Sequence, residues 1–206
     1  MNAIPNQIFI KSTLRLIIAL FILVRCSSPT ILYEVGHIQT NYGEMLFWLY
    51  DQTPAHKKSF IELAQNQYWD TLSFNRIIKD FVIQGGCPDT PAGFSDSPYL
   101  IPPEFNQDIR HIYGALGAGR DENPEKRSAG CQLYIVHNAH GIPRLDDNYV
   151  IFGQIFKGYD VLEAIANVPT EATDRPLDLI TMKVATIKMT KEELIAHGFN
   201  FDKDDH

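Results

Sequence analysis

Several features that would have indicated a protein class at once are missing from this sequence. It contains no low-complexity tract and no internal repeat, and only three of its 206 residues are cysteines. No Gly-x-Ser-x-Gly pattern is present to suggest covalent hydrolysis. The longest unbroken apolar run, Leu16 to Val24, has nine residues, whereas a helix that spans a bilayer needs about twenty. The length and composition fit one globular domain, or one domain with an appendage.

The first 25 residues contain no acidic side chain, although they carry Lys11, Arg15 and Arg25. A basic start followed by a short apolar run is typical of an export signal. Cys26 follows at once, and the segment Leu23-Val24-Arg25-Cys26 resembles the lipobox of bacterial lipoproteins, in which the cysteine is lipidated. Arg25 departs from that pattern, because the position is normally occupied by a small residue.

We therefore predict that residues 1–26 form a signal peptide of the lipoprotein type or an anchor, with Cys26 as the candidate lipidation site. An uncleaved signal-anchor, extended upstream by Ile8, Phe9 and Ile10, is the alternative. Residues 27–30 read as a short polar linker. Either version predicts an exported protein of the bacterial cell envelope, anchored in a membrane or free in the periplasm.

Charge restricts the partners of the exported part. Without residues 1–25 the chain keeps 15 of its 18 Lys and Arg and all 25 Asp and Glu, so its net charge changes from −7 to −10. This balance argues against nucleic acid or an anionic membrane surface as a partner. We expect contact with a membrane only through the N-terminal segment or its lipid, and we expect a monomer.

From Ile31 onward the chain alternates between strand-like segments and two main helices. The segment Gly43–Tyr50 is nearly all apolar, which is typical of a strand covered on both faces. Thr53 and Pro54 predict the start of one helix, and a second is predicted from about Asp160 to Asn167. Eight strand-like segments with two helices fit a small closed barrel.

The C-terminal part, residues 191–206, is predicted to be a short helix followed by an acidic tail in solvent. Thr190 and Glu193 have capping-box spacing, and Gly198 is a suitable end for the helix.

Three separate blocks of sequence carry the functional signal. The first, Phe74–Gly86, places Arg76, Phe81 and Gln84 on two short strands broken at Lys79-Asp80. The second runs from Ser128 to Val136 and the third from Leu145 to Gly153. Together they resemble the signatures of the cyclophilin-type peptidyl-prolyl cis-trans isomerases, and the resemblance covers residues 31–190. It implies a mainly β fold, namely a closed eight-stranded antiparallel barrel capped by two helices with its groove outside.

The resemblance also implies a role for each residue of the groove. Arg76 would be the catalytic residue for cis/trans isomerisation of X-Pro bonds. The substrate-binding residues would be Phe81, Val82, Gln84, Gly119, Gln132, Tyr134, Leu145 and Tyr149. Within this set, Gln84 and Gln132 would hold the peptide backbone, and the apolar side chains would grip the proline ring. The expected partners are proline-containing unfolded or extended polypeptides, whose folding the protein would assist, and no cofactor or metal is required.

Several alternatives stand beside this interpretation. A cyclophilin-like module of the envelope could bind extended chains without turnover, and each apolar groove residue taken singly could be an ordinary core residue. His137 and His140 lack both a helix and a third ligand for zinc. Cys87 and Cys131 could form a disulfide in an oxidising compartment, but two unpaired thiols are the expectation from sequence.

Overall fold

The computed structural model of the protein describes residues 29–87 and 100–204. The predicted signal or anchor segment 1–26, its Cys26 and the last two residues of the acidic tail lie outside these ranges. The described residues from Ile31 onward belong to one compact unit. Across the described ranges, the structure contains no helix that combines the length and the apolar character needed to cross a membrane.

Within the described ranges, nine strands form one sheet in which every pairing is antiparallel. In chain order they are β1 (Tyr33–Thr40), β2 (Gly43–Leu49), β3 (Ser73–Ile78), β4 (Val82–Gly85), β6 (Ala115–Ala118), β8 (Leu133–Val136), β9 (Val150–Lys157), β10 (Ile180–Thr181) and β11 (Lys183–Met189). A separate two-stranded sheet pairs β5 (Leu100–Ile101) with β7 (Ser128–Ala129).

The large sheet closes nearly on itself. Its spatial order is β10-β3-β4-β8-β6-β9-β2-β1-β11, so its two edges are β10 and β11. Only Met182 separates these strands in the chain, which brings the two edges side by side. The predicted antiparallel barrel is therefore confirmed, with a ninth strand because the two-residue β10 pairs with β3.

The sequence of β2 is almost entirely apolar because both faces of this strand are covered. Met45, Phe47 and Leu49 belong to the interior cluster, whereas Leu46 and Trp48 belong to a second cluster on the other face. Alternate residues of a strand point to opposite faces, so a strand covered on both sides needs no polar face. The interior cluster also contains the apolar side chains of the two main helices.

The helices are α1 (Pro54–Gln65), α2 (Tyr159–Ala166), α3 (Lys191–Ala196) and α4 (Phe201–Asp204), with a 3₁₀ turn at Pro143–Leu145. The predicted capping box is confirmed at α3, where the Glu193 amide donates to the Thr190 hydroxyl and the Thr190 amide donates to the Glu193 carboxylate.

Helix α1 begins where predicted, with Thr53 at the N-cap and Pro54 as its first residue, but the Thr53 side chain makes no capping hydrogen bond. The carboxylate of Glu104 caps the helix instead, accepting from the Ala55 amide at 2.9 Å and the His56 amide at 3.0 Å.

The expectation of two unpaired thiols was wrong. Cys87 and Cys131 form a disulfide, and their Cα atoms lie 5.3 Å apart. The reason is strand pairing: Gly85 at the end of β4 faces Leu133 at the start of β8, which brings the two flanking cysteines within bonding reach. The sequence separation of 44 residues gave no sign of this proximity.

Candidate active site

A cavity of about 380 Å³ lies on the outer side of the sheet, where β3, β4, β6 and β8 meet the 3₁₀ turn. Its wall consists of Arg76, Phe81, Val82, Gln84, Gly119, Arg120, Tyr134, Arg144, Leu145 and Tyr149. Eight of the nine groove residues expected from the sequence are among them. The cavity combines an apolar floor with three guanidinium groups.

Arg76 is fixed by two partners. It lies on β3 opposite Gln84 of β4, and its Nη1 donates to Gln84 Oε1 at 3.0 Å. Its Nε lies 3.6 Å from Asp174 Oδ2. The register of β3 shifts between Phe74 and Arg76, and such irregularities redirect a side chain. The half-buried side chain with these two contacts lines the cavity wall.

Phe81 follows the tight turn between β3 and β4. Asp80 adopts a left-handed conformation at φ +58°, and the Phe81 amide donates to the Ile78 carbonyl. The Phe81 carbonyl accepts from the His137 amide at 2.8 Å, which ties the turn to the end of β8. The half-buried ring and the buried Val82 side chain are therefore held at the edge of the cavity.

Tyr134 is buried at the centre of the wall, facing Gln84 on one side and Gly117 on the other. A Cβ at Gly117 would lie 2.2 Å from the ring of Tyr134, so glycine leaves the space that this ring occupies. The Tyr134 hydroxyl lies 2.7 Å from His111 Nε2, and His111 Nδ1 lies 2.7 Å from Asp146 Oδ1.

These contacts determine which atoms of Tyr134, His111 and Asp146 carry protons. A carboxylate can only accept, so Nδ1 carries the proton of neutral His111 and the Tyr134 hydroxyl donates to Nε2. Burial lowers the pKa of His111, although Asp146 opposes the shift. Burial also raises the pKa of Tyr134 well above its usual value. Both groups are therefore neutral near pH 7.

Gln132 is the one expected groove residue that does not line the cavity. It is 3% exposed, and its Oε1 accepts from the Cys87 amide at 3.1 Å. Its Cγ lies behind Gly119, where an added Cβ would approach to 2.5 Å. The Cys87–Cys131 disulfide and the bond from the Cys87 amide to Gln132 therefore connect the same two segments of the chain.

Leu145 and Tyr149 close the far side of the cavity. Leu145 is buried at the end of the 3₁₀ turn, and the Tyr149 ring meets that of Tyr134 edge to face at 6.3 Å between centroids. The Arg120 guanidinium lies over Tyr149 at 4.7 Å from the ring centroid, and that of Arg144 lies over Phe81 at 4.8 Å.

Arg120 and Arg144 were not among the residues expected from the sequence to bind substrate. Each directly neighbours one that was, Gly119 and Leu145 respectively, and this adjacency was the available signal.

Neither His137 nor His140 has the surroundings of a metal ligand. His137 Nδ1 accepts from the Asp80 amide at 3.1 Å, and its Nε2 lies 3.2 Å from a Glu163 carboxylate oxygen. His140 is exposed in the following turn. Over residues 29–87 and 100–204, no three His, Cys, Asp or Glu side chains are grouped as metal ligands.

Comparisons with known proteins point to one family. The family model described as "Cyclophilin type peptidyl-prolyl cis-trans isomerase/CLD" matches residues 35–187. A peptidyl-prolyl cis-trans isomerase of Arabidopsis thaliana is 31% identical over 68% of this chain and 85% of its own length. One from Acinetobacter baylyi is 30% identical over 75% of this chain and 87% of its own length.

A solved structure gives the same result for the fold. It is a cyclophilin-type isomerase of Cryptosporidium parvum, in the presence of the dipeptide Ala-Pro. The two superimpose with a TM-score of 0.67 and 28% sequence identity, over 76% of this chain and 99% of the other.

Proposed function

The chain belongs to the cyclophilin-type peptidyl-prolyl cis-trans isomerases, and on that premise we propose that Arg76 stabilises the twisted X-Pro bond in the transition state. The barrier to rotation is about 18–20 kcal/mol because the planar amide has partial double-bond character. When the bond is twisted, resonance is lost and the prolyl nitrogen gains a lone pair that can accept a hydrogen bond. A donor directed at that nitrogen lowers the barrier.

The restraint of Arg76 is the observation that carries this proposal. Gln84 accepts a hydrogen bond from Nη1, Asp174 lies near Nε, and the side chain lines the cavity. A donor positioned in advance needs no reorganisation at the moment of reaction. It stabilises the twisted state and not the planar one, which is the difference that raises a rate. Arginine suits this role because its charge is permanent and its donors form a rigid fork.

The apolar wall supplies the grip on the substrate. Phe81, Val82, Tyr134 and Leu145 surround a space suited to a proline ring. The structural neighbour studied with Ala-Pro supports a proline-containing peptide as the ligand. Gln84 would bond the peptide backbone on one side of the proline, so that the other side can rotate.

We further propose that the substrates are exported proteins of the bacterial envelope. The basic and apolar segment 1–26 supports export. The Cys87–Cys131 disulfide also supports it, since such bonds persist in oxidising compartments.

Mass spectrometry of the mature N-terminus, beside a Cys26→Ser variant, tests the lipoprotein version. A diacylglyceryl mass on Cys26 is the expected result, and an unmodified chain that begins at Met1 would contradict it.

A protease-coupled isomerisation assay on the full-length chain in mild detergent tests the role of Arg76. We expect Arg76→Ala to lower kcat/KM by about a hundredfold or more, as for loss of one preorganised donor. Arg76→Lys is the matched control, because it keeps the charge without the fork. Retained peptide binding with lost turnover supports the catalytic assignment.

Other outcomes would redirect the proposal. Unchanged turnover in Arg76→Ala removes Arg76 from the mechanism. Binding of X-Pro peptides without acceleration by the wild type would favour the non-catalytic binding module. No proton is transferred in this scheme, so kcat/KM should be flat across neutral pH, and a bell-shaped profile would count against it.

A further inference from the structure

Charge is distributed unevenly between the cavity and the rest of the chain. The protein has 25 acidic and 18 basic side chains, not counting histidine, and a net charge of −7. Among the ten residues that line the cavity there are three arginines and no Asp or Glu. A concave site lined by one sign of charge concentrates ligands of the opposite sign. The cavity is thus basic on an acidic protein.

Arg144 is the most available of the three guanidiniums. Its side chain is exposed at the mouth of the cavity and lies over the Phe81 ring. Within the described ranges its guanidinium has no hydrogen-bond or ion-pair partner, while its carbonyl accepts from the side-chain amide of Asn148 at 3.5 Å. Arg144 also borders a second, open depression of about 690 Å³, whose wall shares Arg76 and Phe81 with the first. A bound peptide longer than the X-Pro unit would extend from the cavity into this depression and pass Arg144.

Arg120 lies beside Tyr149 in the cavity wall. Its Nε donates to the Asn148 carbonyl and its Nη1 to the Asp121 carbonyl, both at 3.0 Å, while its plane lies over Tyr149. These contacts hold the guanidinium in one place. A fixed guanidinium loses less conformational freedom when it binds a carboxylate than a mobile one does.

We propose that Arg120 and Arg144 give this isomerase a preference for X-Pro bonds that have acidic residues nearby in the substrate, an inference that rests on the proposed function. Phe81 and Tyr149 border the expected proline pocket, so the charges stacked on them flank the bound proline. A carboxylate on the peptide can form a forked pair with either guanidinium. Each pair is partly exposed, which limits the gain to about two- to fivefold in kcat/KM.

A peptide series measures the preference directly. X-Pro peptides carrying Glu, Gln or Lys on the N-terminal or C-terminal side of the bond are assayed with the full-length chain. We expect the kcat/KM ratio of Glu to Lys to exceed one at about 0.01 M salt. It should fall towards one at about 1 M salt, where the screening length shrinks from about 30 Å to about 3 Å.

Variants assign the effect to the two arginines. Arg120→Gln and Arg144→Gln should each reduce the Glu-to-Lys ratio on the side of the proline that the residue contacts. Lys58→Gln, on the outer face of α1 and 75% exposed, removes the same charge far from the cavity and should leave the ratio unchanged. The ratio is taken within one protein, so partial loss of active enzyme does not affect it.

The outcomes separate this inference from the proposed function. Failure of the wild type to turn over any peptide overturns the function and the preference together. Turnover of the Gln peptide with a Glu-to-Lys ratio of one overturns the preference alone. A ratio that persists in both arginine variants, or that falls equally in Lys58→Gln, rejects the two arginines as its origin.

Discussion

The hydroxyl of Tyr134 lies 2.7 Å from Nε2 of His111, and both side chains are buried. This bond links a wall of the cavity to Asp146, which accepts the Nδ1 proton of the same histidine. Tyr134 is therefore held at both ends, by Gly117 and Gln84 along the sheet and by His111 at its tip.

Loss of this bond should destabilise the protein. Tyr134→Phe keeps the ring but leaves His111 Nε2 buried without a partner, which costs about 1–3 kcal/mol. Urea unfolding measures the difference in free energy. In a double-mutant cycle with His111→Ala, we expect a coupling energy of at least about 0.5 kcal/mol, and additive effects would contradict the bond's importance.

Acid should weaken the fold before any carboxylate titrates. Burial lowers the pKa of both His56 and His111, opposed by Glu104 and Asp146 respectively. Below pH of about 6.5 the unfolded chain takes up protons that the folded chain does not, so the unfolding free energy falls. The slope reaches about 1.4 kcal/mol per pH unit for each histidine, until the pH reaches its folded-state pKa.

Denaturant unfolding between about pH 7.5 and pH 5 measures this slope. The double variant His56→Gln/His111→Gln is the comparison, and it should show a clearly shallower dependence. An equal slope in both proteins would mean that other groups cause the acid sensitivity. A further loss is expected below about pH 4.5, because the pKa of Glu104 is also lowered in the folded state.

Asp174 should affect the rate through Arg76. Asp174 has φ +66° and its carbonyl accepts from the Ile77 amide, so Asn, which tolerates this conformation, is the suitable replacement. Both partners of the ion pair are more than 40% exposed, which limits its contribution. We expect Asp174→Asn to lower kcat/KM by up to about fivefold at low salt.

The loss should appear mainly in kcat, since the substrate does not need Asp174 for binding in this scheme. Asp178→Asn, in the same segment and exposed, is the control for the change in charge. A loss confined to KM would indicate that Asp174 acts on the substrate and not on Arg76.

Removal of the disulfide should lower stability. The bond closes a loop of 44 residues in the chain, and loops of such length give about 2–4 kcal/mol. Unfolding with and without reductant measures this, and the Cys87→Ser/Cys131→Ser variant should be insensitive to reductant. Equal stability of the reduced and oxidised wild type would contradict the expectation.

The local parts of the structure were predictable from sequence. Arg76 and Gln84 lie on two neighbouring strands and Phe81 ends the short turn between them, so their spacing alone sets their proximity. The apolar β2, the start of α1 and the capping box of α3 follow from periodicity and end signals in the same way. These patterns extend over fewer than about fifteen residues, where backbone geometry determines which side chains meet.

Contacts between distant segments were not predictable in that way. Glu104 caps α1 from 49 residues away, although the sequence favoured Thr53. Nothing in the sequence indicated that Phe199, just before the acidic tail, is buried with its ring centroid 4.5 Å from that of Trp48. Asp202 beyond it is exposed.

By itself the sequence determined the family, the strand-rich barrel and the set of residues around Arg76, because each depends on local spacing repeated in several blocks. The tertiary structure alone decided the disulfide, the pairing of Arg76 with Asp174, the burial of Gln132 and the entry of Arg120 and Arg144 into the cavity wall. These depend on which strands become neighbours when the sheet closes. A register in a closed sheet is set by all of its strands together, and no single segment encodes it.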